Sequence, residues 1–133
     1  MKVLVGVDIQ PIDEVTASLI EYGDRYRRLL FTDEELRCCG ENSSTSSKLA
    51  ERFAAKEAVL KILDTENTVP SWRSIEVSQD AGGRPEISLR GSAAELARSQ
   101  GIQDLSVSLS HAGGVATAAV IATVFSTSER SAS

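Results

Sequence analysis

Three groups of polar residues interrupt stretches that are otherwise apolar: Asp8, the pair Glu57 and Lys61, and Ser110 with His111. Asp8 lies near the end of a run in which Val3, Val5, Val7 and Ile9 alternate with Leu4 and Gly6. Glu57 and Lys61 are four residues apart, so on a helix they share a face and aim at one point. Ser110 and His111 close the alternation Leu105-Ser106-Val107-Ser108-Leu109. Charges among apolar neighbours are costly unless they are paired, hydrogen-bonded or bound to a metal. Two carboxylates, a lysine and a histidine suit phosphate chemistry. Magnesium takes one or two protein carboxylates and completes its shell with water and phosphate oxygens, while lysine and histidine offset charge on a pyrophosphate. Residue types and spacing alone leave this beside plainer readings: Asp8 as a turn former, Glu57–Lys61 as a surface pair, His111 as a loop residue.

The element that must carry the pair is sharply drawn. Ser47 to Leu63 contains no Gly or Pro and is rich in Ala, Leu, Lys, Glu and Arg, which favours helix. At helical pitch Leu49, Phe53, Leu60 and Leu63 form one apolar arc. Lys56 falls inside that arc and Glu57 on its edge, and the opposite side is apolar through Ala54, Ala55, Ala58 and Ile62. Such a helix is expected to be buried on most sides, with charges that need partners.

The remaining elements follow from local signals. Lys2 to Gln10 reads as a strand, and Gly6 on the Asp8 face leaves room for close backbone or ligand approach. Pro11 to Gly23 reads as a helix, followed by a short helical piece carrying Arg25, Arg27 and Arg28. Thr32-Asp33-Glu34-Glu35 has capping-box form and opens a helix ending near Gly40. A serine-rich link, 41–47, is expected to cap the central helix through one of its last serines. Ile75 and Val77 mark a half-exposed strand, Asp80 to Pro85 a turn, and Ile87 and Leu89 the second strand of a hairpin. Ser92-Ala93-Ala94-Glu95 is a second capping-box pattern, for a helix stopping at Gly101. Leu105 to His111 and Val115 to Phe125 are strands joined at Ala112-Gly113-Gly114. The expected fold is α+β: an antiparallel sheet with a long central helix and shorter helices. Residues 1–125 are expected to form a single domain, and 126–133 a disordered tail.

Composition narrows the function classes. A chain of 133 residues with a net charge of −5 fits one domain and excludes a large nucleic-acid footprint. Arg25, Arg27 and Arg28 nonetheless form a local basic patch suited to an anionic partner. Adjacent Cys38 and Cys39 make a poor disulfide, and reduced thiols point to the cytoplasm. No apolar run approaches bilayer length, so no membrane partner is expected.

In order along the chain stand Gly6-Val7-Asp8-Ile9, Phe31-Thr32-Asp33-Glu34-Glu35, Arg52-Phe53-Ala54-Ala55-Lys56-Glu57-Ala58, Gly83-Arg84-Pro85 and Ser108-Leu109-Ser110-His111. This ordered set resembles the holo-[acyl-carrier-protein] synthases, the small type of 4′-phosphopantetheinyl transferase, from Val5 to about Ile121. The resemblance implies transfer of 4′-phosphopantetheine from coenzyme A to a serine of an apo acyl carrier protein or carrier domain, releasing adenosine 3′,5′-bisphosphate. It implies Asp8 and Glu57 as magnesium ligands, and Asp8, Glu57 and Lys61 as the catalytic set, with Glu57 taking the serine proton directly or through water. Arg52, Lys56, Ser110 and His111 are then the positions for holding coenzyme A phosphates, and Gly83, Arg84 and Pro85 for lining its groove. It further implies a homotrimer with the coenzyme A site between neighbouring subunits. The chain departs from the pattern at Glu14, where the family has a basic residue, and at Leu63-Asp64-Thr65-Glu66, which replaces a glycine-rich segment. A non-catalytic coenzyme A or nucleotide-binding module and a magnesium-dependent pyrophosphate hydrolase are the alternatives, and Asp8, Glu57 and Lys61 together argue against the first.

Overall fold

The structure, a computed structural model, describes residues 1–125. The expected tail at 126–133 lies outside the described residues. In chain order the elements are β1 (Lys2–Pro11), α1 (Ile12–Tyr22), α2 (Asp24–Leu30), α3 (Asp33–Cys39), α4 (Thr45–Ile62), β2 (Ile75–Gln79), β3 (Pro85–Leu89), α5 (Gly91–Ser99), β4 (Ile102–Ala112) and β5 (Val115–Val124). A single 3₁₀ turn, Trp72–Ser74, precedes β2. The strands form two antiparallel sheets, one of order β1-β5-β4 and one a β2-β3 hairpin. The turn joining β4 to β5 consists of Gly113 and Gly114, with φ of 59° and 80°. Two consecutive positive φ values are what a two-residue hairpin turn of matching twist requires, and glycine adopts them without strain.

Register across the larger sheet decides which side chains meet. Asp8 pairs with Ala118 and Ala118 with Leu109, while Gln10, Ala116 and His111 form the next row. The face carrying these residues is covered by α4. Gly6 sits beneath Ala58, and a Cβ at Gly6 would collide with the Ala58 carbonyl oxygen. The approach is extended by Ala54, Ala55 and Ala58 on the helix and Ala116 and Ala118 on β5, all buried. Small residues on both sides let the helix axis come close to the sheet, which is what brings Glu57 down to the level of Asp8. Gly6→Ala is therefore expected to destabilise the protein by about 1–3 kcal/mol through overpacking against backbone that has no rotamer to yield. Chemical denaturation of parent and variant checks this; an unchanged midpoint would contradict the close approach.

The opposite face of β1 is bare. Val3, Val5, Val7 and Ile9 are 52%, 62%, 51% and 60% exposed, and Ile121 on the neighbouring strand is 46% exposed. Singly such residues mean little, but this is a continuous apolar stripe along a sheet. The core lies on the other side. One part gathers Val59, Ile62, Leu63, Ile75 and Val120, and another gathers Val15, Leu30, Phe31 and Leu49.

Several local expectations are corrected. The box at Thr32 forms as expected: its hydroxyl accepts from Glu35 N–H, and Glu35 accepts from Thr32 N–H. The box at Ser92 does not, because α5 starts at Gly91 with Arg90 as its cap and no side-chain capping bond. Ser44 stands at the N-cap of α4 without capping it, since its hydroxyl and N–H both bond to Asn42 Oδ1. The strand β2 is buried over Ile75, Glu76 and Val77 rather than half-exposed, since Glu76 finds Arg90 at 2.5 Å and the Thr32 hydroxyl at 2.6 Å. Among the described residues no helix is long and apolar enough to cross a membrane.

Candidate active site

Asp8 enters the site from β1, and Glu57 and Lys61 from successive turns of α4. The Lys61 ammonium lies 3.2 Å from Asp8 Oδ1 and donates to the Val7 carbonyl at 2.7 Å. Gln10 Nε2 donates to the other Asp8 oxygen at 2.8 Å. Lys61 is thus committed to the strand, and the simple surface pair with Glu57 is replaced by a link between helix and sheet. Glu57 titrates above the ordinary carboxylate range, chiefly because burial penalises its charge, then because Asp8 faces it, with Lys61 opposing. Two carboxylates sharing one ammonium leave negative charge uncompensated. Among the described residues no group of three or more His, Cys, Asp or Glu side chains could hold a metal ion. A pair of carboxylates is instead a donor set that magnesium takes, completing its shell with water and phosphate oxygens.

A groove of about 760 Å³ opens on the other side of α4, between it, the β2-β3 hairpin and β4. Lys48, Arg52 and Arg84 bring positive charge to it and Glu51, Asp80 and Glu86 negative, while Pro85, Val107 and Leu109 supply apolar walls. His111, which register places on the α4 face of the sheet, lies 3.5 Å from Glu51, one of the residues lining the groove. Across the sheet the Asp8 row and the far strand are separated by two strand spacings, about 10 Å.

The chain as a whole is similar to known proteins. A profile of the 4′-phosphopantetheinyl transferase superfamily matches residues 4–124. The chain belongs to this superfamily. It is similar to a holo-[acyl-carrier-protein] synthase of Desulforudis audaxviator, 38% identical over 126 residues that cover 95% of this chain and 96% of that one. It is likewise similar to the synthase of Alkaliphilus metalliredigens, 40% identical over 90% of this chain and 97% of the relative. Among solved structures, the Chronobacterium ammoniagenes ACPS–CoA complex superimposes with a TM-score of 0.78 at 29% identity, covering 95% of this chain and all of that one.

Within this superfamily member the positions expected to carry chemistry separate into three sets. Asp8, Glu57 and Lys61 meet in one place. Arg52, Arg84 and Pro85 line the groove, with Gly83 beside them at the exposed hairpin turn, where its φ is 84°. Arg52 is only 3% exposed; its guanidinium donates to the Lys48 carbonyl at 3.3 Å while its Nε has no partner.

Lys56 and Ser110 fall elsewhere. Lys56 is wholly buried, and its three donors go to Glu35 Oε1 at 2.7 Å, the Trp72 carbonyl at 2.9 Å and the Ile75 carbonyl. An ammonium with three internal partners has none left for a phosphate, so Lys56 belongs to the interior rather than to the groove. Ser110 is exposed, with its carbonyl accepting from the Thr117 hydroxyl at 3.4 Å. Strand alternation turns it to the bare face of the sheet, opposite to His111 and Asp8. The basic helix α2 leaves Arg25 and Arg28 exposed, while Arg27 lies 3.5 Å from Asp24.

Two neighbours of the site escaped the sequence. Gln10 orients Asp8, and a same-face position two residues on was the available signal. Glu51 Oε2 stands 3.5 Å from His111 Nδ1. No spacing rule links residues sixty apart on a helix and a strand, so only the fold could disclose that contact.

Proposed function

We propose that this chain transfers the 4′-phosphopantetheine group of coenzyme A to a serine hydroxyl of an apo acyl carrier protein, with Asp8, Glu57 and Lys61 at the reacting end. The observation that carries this reading is the convergence of those three side chains in a member of the transferase superfamily. Asp8 and Glu57 would hold magnesium, which supplies charge neutralisation on the pyrophosphate when bound. Glu57, held above the ordinary carboxylate range by burial and by Asp8, is suited to accept the serine proton. Lys61 offsets negative charge as the bisphosphate leaves. The groove with Arg52 and Arg84 receives the anionic nucleotide end, and Gly83 and Pro85 shape its rim.

The active unit is a homotrimer in this reading. Support comes from the bare stripe of Val3, Val5, Val7, Ile9 and Ile121, which is too long and apolar to face water. The split of the site supports it as well. The carboxylate cluster and the groove occupy opposite edges of the sheet, and Ser110 shares the bare face with the stripe, so a neighbouring copy's groove can complete this copy's carboxylates.

Incubation of the full chain with coenzyme A, magnesium and an apo carrier protein tests the activity. Intact-mass spectrometry is expected to show a gain of one phosphopantetheine on the carrier, dependent on magnesium. Hydrolysis of coenzyme A with no gain would identify a pyrophosphate hydrolase, and binding with neither a non-catalytic module. Light scattering on the same samples is expected to give three copies, and Val5→Glu to give single copies with little transfer. An active single copy would remove the trimer from this account.

A further inference from the structure

Glu51 is a carboxylate for which the reaction outlined above has no task. It stands on α4 with its side chain only 14% exposed, and it lines the same groove as Lys48, Arg52 and Arg84. Of the three carboxylates lining the groove, Asp80 accepts from the Gly82 and Arg84 N–H groups of the hairpin turn and Glu86 is exposed, whereas Glu51 is largely buried, where a carboxylate needs a partner. Among the described residues its ionic partner is His111, whose Nδ1 lies 3.5 Å from Glu51 Oε2. The Arg52 guanidinium bonds to the Lys48 carbonyl, and the cross-strand neighbour of His111 is Ala116, a methyl group. The imidazole is half-exposed and stands beside a two-glycine turn, so little else fixes its ring.

We propose that Glu51 is a positioning residue for His111. Its carboxylate holds the Nδ1–H side of the ring, so that Nε2 is turned toward the phosphates of coenzyme A, to which its N–H donates when the ring is charged. A separation of 3.5 Å is longer than a good hydrogen bond, and contacts of this kind are commonly long in a ligand-free site and shorten when ligand binds. The identity of the ligand rests on the coenzyme A reading; the pairing of carboxylate and ring does not.

Because His111 is the only histidine in the chain, two-bond ¹⁵N–¹H spectra of the full-length protein report its two nitrogens without assignment. At a pH where the ring is neutral, the parent is expected to carry its proton mainly on Nδ1. Glu51→Ala is expected to move it toward Nε2 and, at a pH where the ring is charged, to raise KM for coenzyme A about tenfold, the scale of one hydrogen bond to a charged group, with kcat little changed. Glu51→Gln keeps an acceptor and is expected to retain most of the parent's behaviour. In a His111→Ala background, Glu51→Ala is expected to have no further effect. Alanine is the strongest helix former, so α4 survives the change, and Glu51→Leu provides the same comparison. An Nδ1 proton undiminished in Glu51→Ala, or a KM effect that persists without the histidine, would overturn the proposal. A parent that transfers nothing would sink the coenzyme A reading, while the spectra would still decide the pairing.

Discussion

Glu57→Gln is expected to lower turnover by at least about a hundredfold, the lower range for losing a positioned general base, while leaving the protein folded. The reason is that one substitution removes both a ligand position and the acceptor for the serine proton. Stability should move the other way. Burial and the facing Asp8 raise the titration of Glu57 above its ordinary range. A carboxyl group whose folded value is raised favours folding only when protonated, so its contribution is present below the unfolded carboxylate range and is lost as pH rises through the folded value. In metal-free protein the glutamine should therefore raise Tm at neutral pH and make little difference in acid. Asp8→Asn, which leaves the proton acceptor in place, should keep part of the activity and recover more as magnesium is added. Tm and turnover measured on the same samples decide the matter. An active but destabilised Glu57→Gln would mean that the residue serves the helix and not the reaction.

How much of this was legible in the chain depends on the range of the interaction. Signals carried within a few residues held: the Thr32 box, the two-glycine turn, the hairpin around Asp80, and α4 from its unbroken run of helix formers. Asp8 and Glu57 stood out because each is a charge among apolar residues, although nothing in the sequence says that β1 and α4 meet. Gly6 was the one local hint, and it is answered by Ala58, fifty-two residues further on, once the helix lies on the strand. Contacts that depend on tertiary placement were out of reach. Ser92 resembles a helix cap but lies inside α5, where Arg90 already holds the cap position. The alternation at Ile75 to Val77 suggested one wet face, yet Glu76 is buried because Arg90 and Thr32 reach it from two other elements. The uneven side of β1 was visible as well. Four β-branched residues share one face of β1, and among the described residues nothing covers it.

Lys56 gives the sharpest contrast between resemblance and structure, and its substitution carries the largest expected loss of stability. The ammonium is bound by Glu35 Oε1, Trp72 O and Ile75 O and lies 5.8 Å from the centre of the Phe31 ring. Glu35 is as fully engaged, accepting from the Thr32 N–H at 2.8 Å and from the Val77 N–H at 2.8 Å. This pair therefore ties the cap of α3 and the strand β2 to the middle of α4. Burial pushes the lysine below its ordinary range, and Glu35 opposes that push. Lys56→Met removes the cation while leaving a carboxylate buried and two carbonyls without a donor, for an expected loss of about 3–5 kcal/mol. Lys56→Met with Glu35→Gln should be more stable than Lys56→Met alone despite the extra change, because the stranded charge is gone. The functional readout separates the two roles. A lysine that held a coenzyme A phosphate would, when replaced, raise KM for coenzyme A and leave the denaturation midpoint near the parent's. A lysine that fixes the helix would lower the midpoint sharply and, at a temperature where the variant stays folded, leave KM for coenzyme A nearly unchanged. The three internal partners of the ammonium require the second result, and the first would return Lys56 to the groove.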